Sequence, residues 1–200
     1  MATAPTAGID AQVQLNIEAS IAVKQAMLAD HELLAGISSA AEMIAAALRA
    51  GHRLMLMGNG GSAADAQHIA AEFVGRYRMQ RRALPVMALT VNTSALTAIS
   101  NDYSFDDVFT RQVEAFARPG DVLIGITTSG NSRNILRAFV LATPLRVQTI
   151  AFTGSTGGRV KAAANLCLCV PSDDTPRIQE AHILMGHAIS EIVEAELFRR

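Results

Sequence analysis

Two stretches of the sequence place imidazole, carboxylate and amide side chains at spacings that suit a divalent metal ion. His68 and Glu72 lie four residues apart, so on a helix they share one face. Imidazole and carboxylate groups are common zinc ligands. The second stretch holds Gln179, His182 and His187. At about 100° per residue, His187 lies about 80° around the helix from Gln179 and His182 about 60° the other way, so helical geometry does not choose between the two histidines.

Each of these groups also has a purely structural interpretation. A His–Glu pair at this spacing is common on helix surfaces, and His187 has Glu191 four residues later as a stabilising partner. The metal interpretation therefore depends on both stretches meeting in the fold.

Two polar loops have the composition of anion sites. The first, Gly58-Asn59-Gly60-Gly61-Ser62, follows an apolar run and opens a helix, where glycines let the backbone approach a ligand and the helix N-terminus offers free N–H groups. The second, Thr127-Thr128-Ser129-Gly130-Asn131-Ser132, supplies four hydroxyls and an amide before another helix. Both could also be ordinary strand–helix turns with capping residues. Neither matches a dinucleotide or P-loop fingerprint, so a compact sugar phosphate suits them better.

The elements around these loops alternate between strand and helix. Short apolar runs predict strands, and the intervening periodicity predicts helices; the strands cover residues 54–57, 85–89, 122–126, 147–152 and 166–170, and the helices 63–77, 105–117, 134–141 and 175–198. This alternation predicts an α/β fold with an open, doubly wound parallel sheet of about five strands and helices on both faces. In such sheets, ligands bind beyond the carboxyl ends of the strands, where both polar loops would lie.

The first fifty residues predict two helices that carry no obvious chemistry. The first covers residues 11–28, and Asp30 is the expected N-cap of the second, which ends at Gly51. Both have more apolar surface than a lone helix leaves in water. We therefore expect residues 1–50 to form a helical extension that packs on the domain or on another subunit, and residues 51–200 to form the domain itself.

Composition and charge exclude several classes of function. Seventeen basic and eighteen acidic residues leave a net charge of −1, which argues against a nucleic-acid partner. No apolar stretch approaches the ~20 residues that cross a bilayer, and residues 1–8 lack the basic residues and apolar run of a signal peptide, so we expect a cytoplasmic protein without a membrane partner. The only two cysteines, Cys167 and Cys169, are expected to be reduced core residues on opposite faces of a strand.

From residue 54 to residue 198, these features together resemble the sugar isomerase (SIS) domain, and within it the phosphoheptose isomerases. The resemblance rests on five motifs, which are GNGGSAADAQH at 58–68 with Glu72, Asn101-Asp102-Tyr103, TSGNS at 128–132, RIQEAH at 177–182, and His187. It implies a flavodoxin-like sheet and the zinc-dependent isomerisation of sedoheptulose 7-phosphate to D-glycero-D-manno-heptose 7-phosphate through an enediol. It further implies the first step of heptose biosynthesis for lipopolysaccharide core or capsule, one Zn²⁺ per subunit, and a homotetramer with sites formed between subunits.

Matching positions imply the role of each site residue. The metal ligands fall on His68, Glu72, Gln179 and His187, which favours His187 over His182. Glu72 and His187, on two helices expected to converge at the strand ends, can then act as the catalytic acid–base pair, with Glu72 as the base at carbon. The substrate contacts fall on Asn59, Gly60, Gly61, Ser62, Glu72, Asn101, Asp102, Thr127, Thr128, Ser129, Ser132 and Gln179. Thr127 stands where the family usually has Ser, and Pro176 stands where some members carry an acidic residue, so the role of that position is open.

A second hypothesis is a non-catalytic SIS-domain binding protein that resembles the replication-initiator-associating protein of bacteria. In that group, the positions of Glu72 and His187 hold other residues, whereas this chain has both. The pair therefore favours the isomerase.

Overall fold

Five short apolar segments form one parallel sheet in the computed structural model, which describes residues 8–199. The strands are β1 (Leu54–Gly58), β2 (Val86–Ala88), β3 (Val122–Ile126), β4 (Gln148–Thr153) and β5 (Leu166–Cys169). Their order is β2-β1-β3-β4-β5, and every neighbouring pair is parallel. This order is the flavodoxin-like form of the doubly wound sheet, and it confirms the predicted fold class.

Helices cover both faces of the sheet. They are α1 (Ile9–Ala29), α2 (His31–Arg49), α3 (Gly61–Val74), α4 (Thr93–Asp102), α5 (Thr110–Phe116), α6 (Arg133–Ala142) and α7 (Thr175–Phe198), with 3₁₀ turns at Phe105–Asp107 and Arg159–Ala162. Leu54 and Leu56 of β1 point into the core beneath α2, α3 and α7, whereas Met55 and Met57 point into the core beneath α5 and α6. Successive side chains of a strand alternate between faces, so β1 is buried on both sides.

The strand register aligns the carboxyl ends of the central strands. Gly58 pairs with Ile126, and Ile126 pairs with Phe152, so the last residues of β1, β3 and the adjacent part of β4 lie side by side. The loops that follow these strands therefore meet at one edge of the sheet. Both predicted polar loops lie there.

Two helix predictions differ from the structure. The sequence pattern did not indicate α4, which has no fully buried residue and therefore no clear apolar stripe. The predicted helix over 105–117 is instead a 3₁₀ turn followed by α5, and the buried residues Val108 and Phe109 lie between the two.

The N-terminal helices differ in how they pack. Asp30 caps α2 as predicted, since its Oδ1 accepts a hydrogen bond from the Leu33 N–H at 2.9 Å. Residues of α2 such as Ile44 belong to the same core as the sheet, whereas Met27 is the one fully buried residue of α1. The boundary at residue 50 remains a prediction. Most of residues 1–8, from which we expect no signal peptide, lies outside the described part of the chain.

The expectation for the cysteines is wrong in one respect. Cys167 and Cys169 have one residue between them, so they lie on the same face of β5, and their Sγ atoms are 3.7 Å apart. Both are free thiols and half-buried. Among residues 8–199, none of the helices combines the length and the apolar character needed to cross a membrane.

Candidate active site

Helices α3 and α7 bring two histidines and a glutamate together, about two to three helical turns along α3 from the glycine-rich loop at which that helix begins. The Nε2 atoms of His68 and His187 are 2.9 Å apart, and His68 Nε2 is 3.3 Å from Glu72 Oε1. One ligand atom from each of the three residues lies within 4.8 Å of the other two. Ligands of a tetrahedral zinc ion are about 3.3 Å apart, so this donor set fits such an ion. The His68 side chain is 53% exposed, which leaves the cluster open to solvent.

A glycine beside His187 explains how the two helices come so close. A Cβ atom on Gly186 would lie 2.4 Å from Ile69 Cδ1, next to His68 in the chain. A side chain at 186 would therefore require the Ile69 side chain, or α7 itself, to shift. The close approach sets the short distance between the two imidazoles.

Asp65 adds a carboxyl group one turn before His68. It is half-buried, and its Oδ2 has no hydrogen-bond partner within residues 8–199. Burial raises the pKa of this carboxyl group, and the nearby His68 opposes the rise. Carboxylates beside a ligating histidine commonly orient its ring.

Gln179 lies at the opposite end of this helix pair. A Cβ atom on Gly61 would lie 2.5 Å from Gln179 Nε2, so the amide packs directly on the first residue of α3. Gln179 thus contacts the Gly58–Ser62 loop. Its role as a fourth metal ligand remains a prediction.

His182 points away from the cluster. Its side chain is fully buried, its Nε2 lies 3.1 Å from the Thr153 carbonyl oxygen, and its ring packs against Phe152. The two histidines that helical spacing left open therefore have different environments, with His187 in the cluster and His182 in the core.

The burial of His182 predicts a dependence of stability on pH. Burial lowers the pKa of His182 from 6.5 to about 4, and the bond to Thr153 opposes this only in part. Between these pH values the unfolded chain binds a proton that the folded chain does not, so the free energy of unfolding should fall as pH falls, by up to about 3 kcal/mol. In His182→Gln this loss should disappear, as measured by denaturant unfolding at pH 7, 5.5 and 4.5. Parallel pH profiles for the two proteins would contradict the prediction.

The two polar loops are joined by side-chain hydrogen bonds. Asn59 and Asn134 exchange two amide hydrogen bonds of 3.0 and 2.9 Å, which tie the first loop to the start of α6. Thr127 Oγ1 and Ser132 Oγ are 2.9 Å apart and close the second loop on itself. Asn134 was missed in the sequence, where it looked like an ordinary helix residue. Only its contact across 75 positions shows its role.

A small polar cavity opens beside the second loop. It measures about 170 Å³, and its lining includes Thr128, Ser129, Thr175 at the start of α7, and Asp173. A larger cavity of about 450 Å³ lies between β2, α4 and α5, but its lining is mainly apolar and includes none of the predicted site residues. The polar cavity is therefore the better candidate for a substrate.

Asn101 and Asp102 lie apart from the cluster, at the end of α4. Both are exposed, and Asn101 Nδ2 donates to Asp102 Oδ1 at 2.8 Å. The sequence pattern does not single out Tyr77, whose ring centroid lies 5.9 Å from that of His187. Its position just after the end of α3 was the only local signal.

Comparison with known proteins defines the class first. The family model of the SIS domain matches residues 19–154. A phosphoheptose isomerase of Clostridium acetobutylicum is 53% identical over 186 residues, which cover 93% of this chain and 95% of that protein. The solved phosphoheptose isomerase of Neisseria gonorrhoeae is 42% identical and superposes with a TM-score of 0.89 over 94% of this chain and all of that one. The solved enzyme of Francisella tularensis is 35% identical, with a TM-score of 0.89 over 94% of this chain and 98% of that one.

The chain thus contains an SIS domain. Within that class, the chain belongs to the phosphoheptose isomerases. It is therefore an enzyme that isomerises a sugar phosphate, and the hypothesis of a non-catalytic binding protein is set aside.

Proposed function

We propose that this enzyme converts sedoheptulose 7-phosphate to D-glycero-D-manno-heptose 7-phosphate with the help of one zinc ion per subunit. The observation that carries the proposal is the approach of one ligand atom from each of His68, Glu72 and His187 to within 4.8 Å of the other two, on two helices that begin near the polar loops. An acid–base pair beside an anion site is what moving a proton between adjacent carbons of a sugar phosphate requires.

The proposed metal ligands are His68, Glu72, His187 and Gln179. Two imidazoles and a carboxylate form a typical catalytic zinc donor set, and Gln179 lies about two turns before His187 on α7, where its amide packs on Gly61 at the start of α3. A bound zinc ion would polarise the substrate carbonyl group and stabilise negative charge on its oxygen.

Glu72 and His187 are the proposed acid–base pair. One oxygen of the Glu72 carboxylate faces His68, which leaves the second oxygen to take the proton from carbon. His187 lies on the other helix, so it would exchange a proton with a substrate oxygen from the opposite side. The isomerisation then passes through an enediol without any redox cofactor.

Hydroxyl groups and backbone amides are proposed to hold the phosphate and the sugar chain. Thr127, Thr128, Ser129 and Ser132 lie at the N-terminus of α6, where free N–H groups favour an anion. Residues 59–62 offer similar groups at the N-terminus of α3. Thr127 retains a hydroxyl, so we expect little effect from its replacing the usual Ser.

A homotetramer with sites between subunits remains part of the proposal. The exposed apolar side chains of α1, among them Ile9, Val13 and Ile17, offer a surface for a neighbouring chain. The exposure of Asn101 and Asp102 is compatible with contacts to substrate in a neighbouring subunit. We further propose a cytoplasmic enzyme at the entry to heptose biosynthesis for lipopolysaccharide core or capsule.

The first experiment measures turnover of sedoheptulose 7-phosphate by purified protein before and after treatment with a chelator. We expect the chelator to abolish turnover and stoichiometric Zn²⁺ to restore it. Without the ion, the three clustered side chains cannot polarise the substrate carbonyl group. Mg²⁺, which prefers oxygen ligands, is the matched control and should not restore activity.

Two outcomes would contradict the proposal in different ways. If the chelator does not change turnover, the proposed metal site is excluded, but the proposed substrate is retained. Absence of turnover in folded, zinc-loaded protein would exclude this substrate.

A further inference from the structure

We propose that Arg81 and Glu194 are positioning residues of this isomerase, and that their buried ion pair fixes α3 against α7 so that Glu72 and His187 stay aligned. The Arg81 Nε atom lies 3.0 Å from Glu194 Oε1, and the two side chains are only 2% and 3% exposed. Because the pair is buried, its charges do not serve to keep the protein surface soluble. The hydrogen bonds of both side chains to the backbone show which segments the pair holds in place.

The Glu194 carboxylate accepts hydrogen bonds from a whole turn of backbone. It accepts from the N–H groups of Tyr77 at 3.1 Å, Arg78 at 2.7 Å and Met79 at 2.9 Å, in addition to the Arg81 side chain. Burial alone would raise the pKa of Glu194, but these hydrogen bonds lower it below the ordinary value, so the group is a carboxylate at neutral pH. Glu194 therefore fastens the chain after α3 to α7.

The Arg81 guanidinium closes the end of α3 from the other side. It donates to the carbonyl oxygens of Glu72 at 2.8 Å, Phe73 at 2.7 Å and Gly75 at 3.1 Å. These carbonyl groups lie at the C-terminus of the helix, where no further N–H group in the helix can reach them. The arginine thus holds the backbone of the proposed catalytic base itself.

Both proposed catalytic residues are within one contact of this ion pair. Arg81 binds the main chain of Glu72, and Glu194 binds the main chain of Tyr77, whose ring lies against the ring of His187. Glu194 also follows His187 by two helical turns, so it lies on a similar face of α7. The ion pair therefore links the two helices just beyond the cluster, on the side away from the glycine-rich loop.

This placement assigns Arg81 and Glu194 a role in geometry rather than in chemistry. Neither side chain reaches solvent or the cluster, so neither can donate a proton to substrate. A displacement of about 1 Å between reacting groups can cost about 10²-fold in rate. Loss of the pair should therefore lower kcat much more than it changes KM.

The test compares Glu194→Gln with Glu196→Gln. Glu196 lies on the same helix, in an exposed pair with Arg49 whose side chains are 57% and 59% exposed, and should tolerate the same change. For Glu194→Gln we expect kcat to fall by about tenfold or more with KM within about threefold, and zinc to be lost at a lower chelator concentration. Glu196→Gln should match the wild type. All measurements are made at a temperature where circular dichroism shows the variant to be folded.

A double variant separates positioning from stability. Replacing both members of a buried ion pair by apolar residues often preserves folding, whereas removing one leaves an unpaired charge. Arg81→Met with Glu194→Met leaves no unpaired charge but lacks every hydrogen bond that the pair makes to the Glu72 and Tyr77 backbone, and it is compared at a temperature where circular dichroism shows it to be folded. We expect the kcat of the double variant to stay low. The single conservative substitution Arg81→Lys, with Glu194 present, should retain part of the wild-type kcat. Wild-type kcat and zinc affinity in a folded double variant would overturn the proposal.

The inference uses the proposed acid–base pair, but the two can fail separately. If the chelator does not change wild-type turnover, the metal part of the proposed function fails. The kcat values of Glu194→Gln and Glu196→Gln can still be compared. If sedoheptulose 7-phosphate is not a substrate, zinc affinity measured by competition with a chelator still reports the alignment of the cluster.

Discussion

Glu72→Gln should lower the turnover of sedoheptulose 7-phosphate by about 10²- to 10⁴-fold, the usual contribution of a general base. The amide keeps the size of the side chain but has no basic oxygen for the substrate proton. The Glu72 side chain is only half-buried, and Arg81 binds its main-chain carbonyl oxygen rather than its carboxylate. We therefore expect the variant to fold like the wild type. The measurement is steady-state turnover, accompanied by the zinc content and the unfolding midpoint of the variant.

Glu114→Gln is the matched control for this experiment. Glu114 forms an exposed pair with Arg111 on α5, remote from the cluster, and its substitution should leave turnover unchanged. A near-normal rate in Glu72→Gln with normal zinc content would remove Glu72 from the role of carbon base. If zinc is lost together with activity, restoring it at excess Zn²⁺ separates ligation from base catalysis.

Gly130→Ala should damage both stability and substrate binding. Gly130 has φ +65°, and a Cβ atom there would lie 2.2 Å from the Gly157 carbonyl oxygen. The left-handed conformation alone costs a residue with a side chain about 1–2 kcal/mol, and the clash with the backbone adds to it. The loop that carries Thr128 and Ser129 must move away from residue 157. Lost hydrogen bonds to a charged phosphate should then raise KM by about tenfold or more.

Gly51→Ala isolates the conformational part of this effect. Gly51 also has a positive φ, +85°, but a Cβ atom there would meet no other atom within 4 Å. Its substitution should cost about 1–2 kcal/mol of unfolding free energy and leave KM unchanged. Thermal unfolding and substrate titration of the two variants would test this difference. Equal KM values in wild type and Gly130→Ala would contradict the proposed phosphate site.

The fold and part of the site could be predicted because their signals are local. Every strand except β4 is a continuous apolar run, and parallel order follows from the intervening helices. The glycine-rich and hydroxyl-rich loops sit directly after β1 and β3, so their shared edge follows from the fold class. His68 and Glu72 share a helix face by spacing alone, and the structure bears this out at 3.3 Å.

The remaining features depend on contacts between distant parts of the chain. Spacing on α7 could not distinguish His187 from His182, because that depends on which side of the helix faces α3 and which faces Thr153. Glu194 looks like any glutamate near a helix end, and its buried role appears only through a segment 113 to 117 positions earlier. The sequence does not predict α4, because this helix has no buried residue and therefore no periodic apolar pattern.

The close approach of His68 and His187 has a kinetic consequence. The two residues are separated by 119 positions, so their meeting requires a long stretch of chain to close before any contact compensates for the lost entropy. We therefore expect α7 to dock onto α3 late in folding, in keeping with the slow folding of proteins rich in distant contacts. During refolding, secondary structure should return first and activity last. Recovered turnover should thus report a step that follows the return of secondary structure.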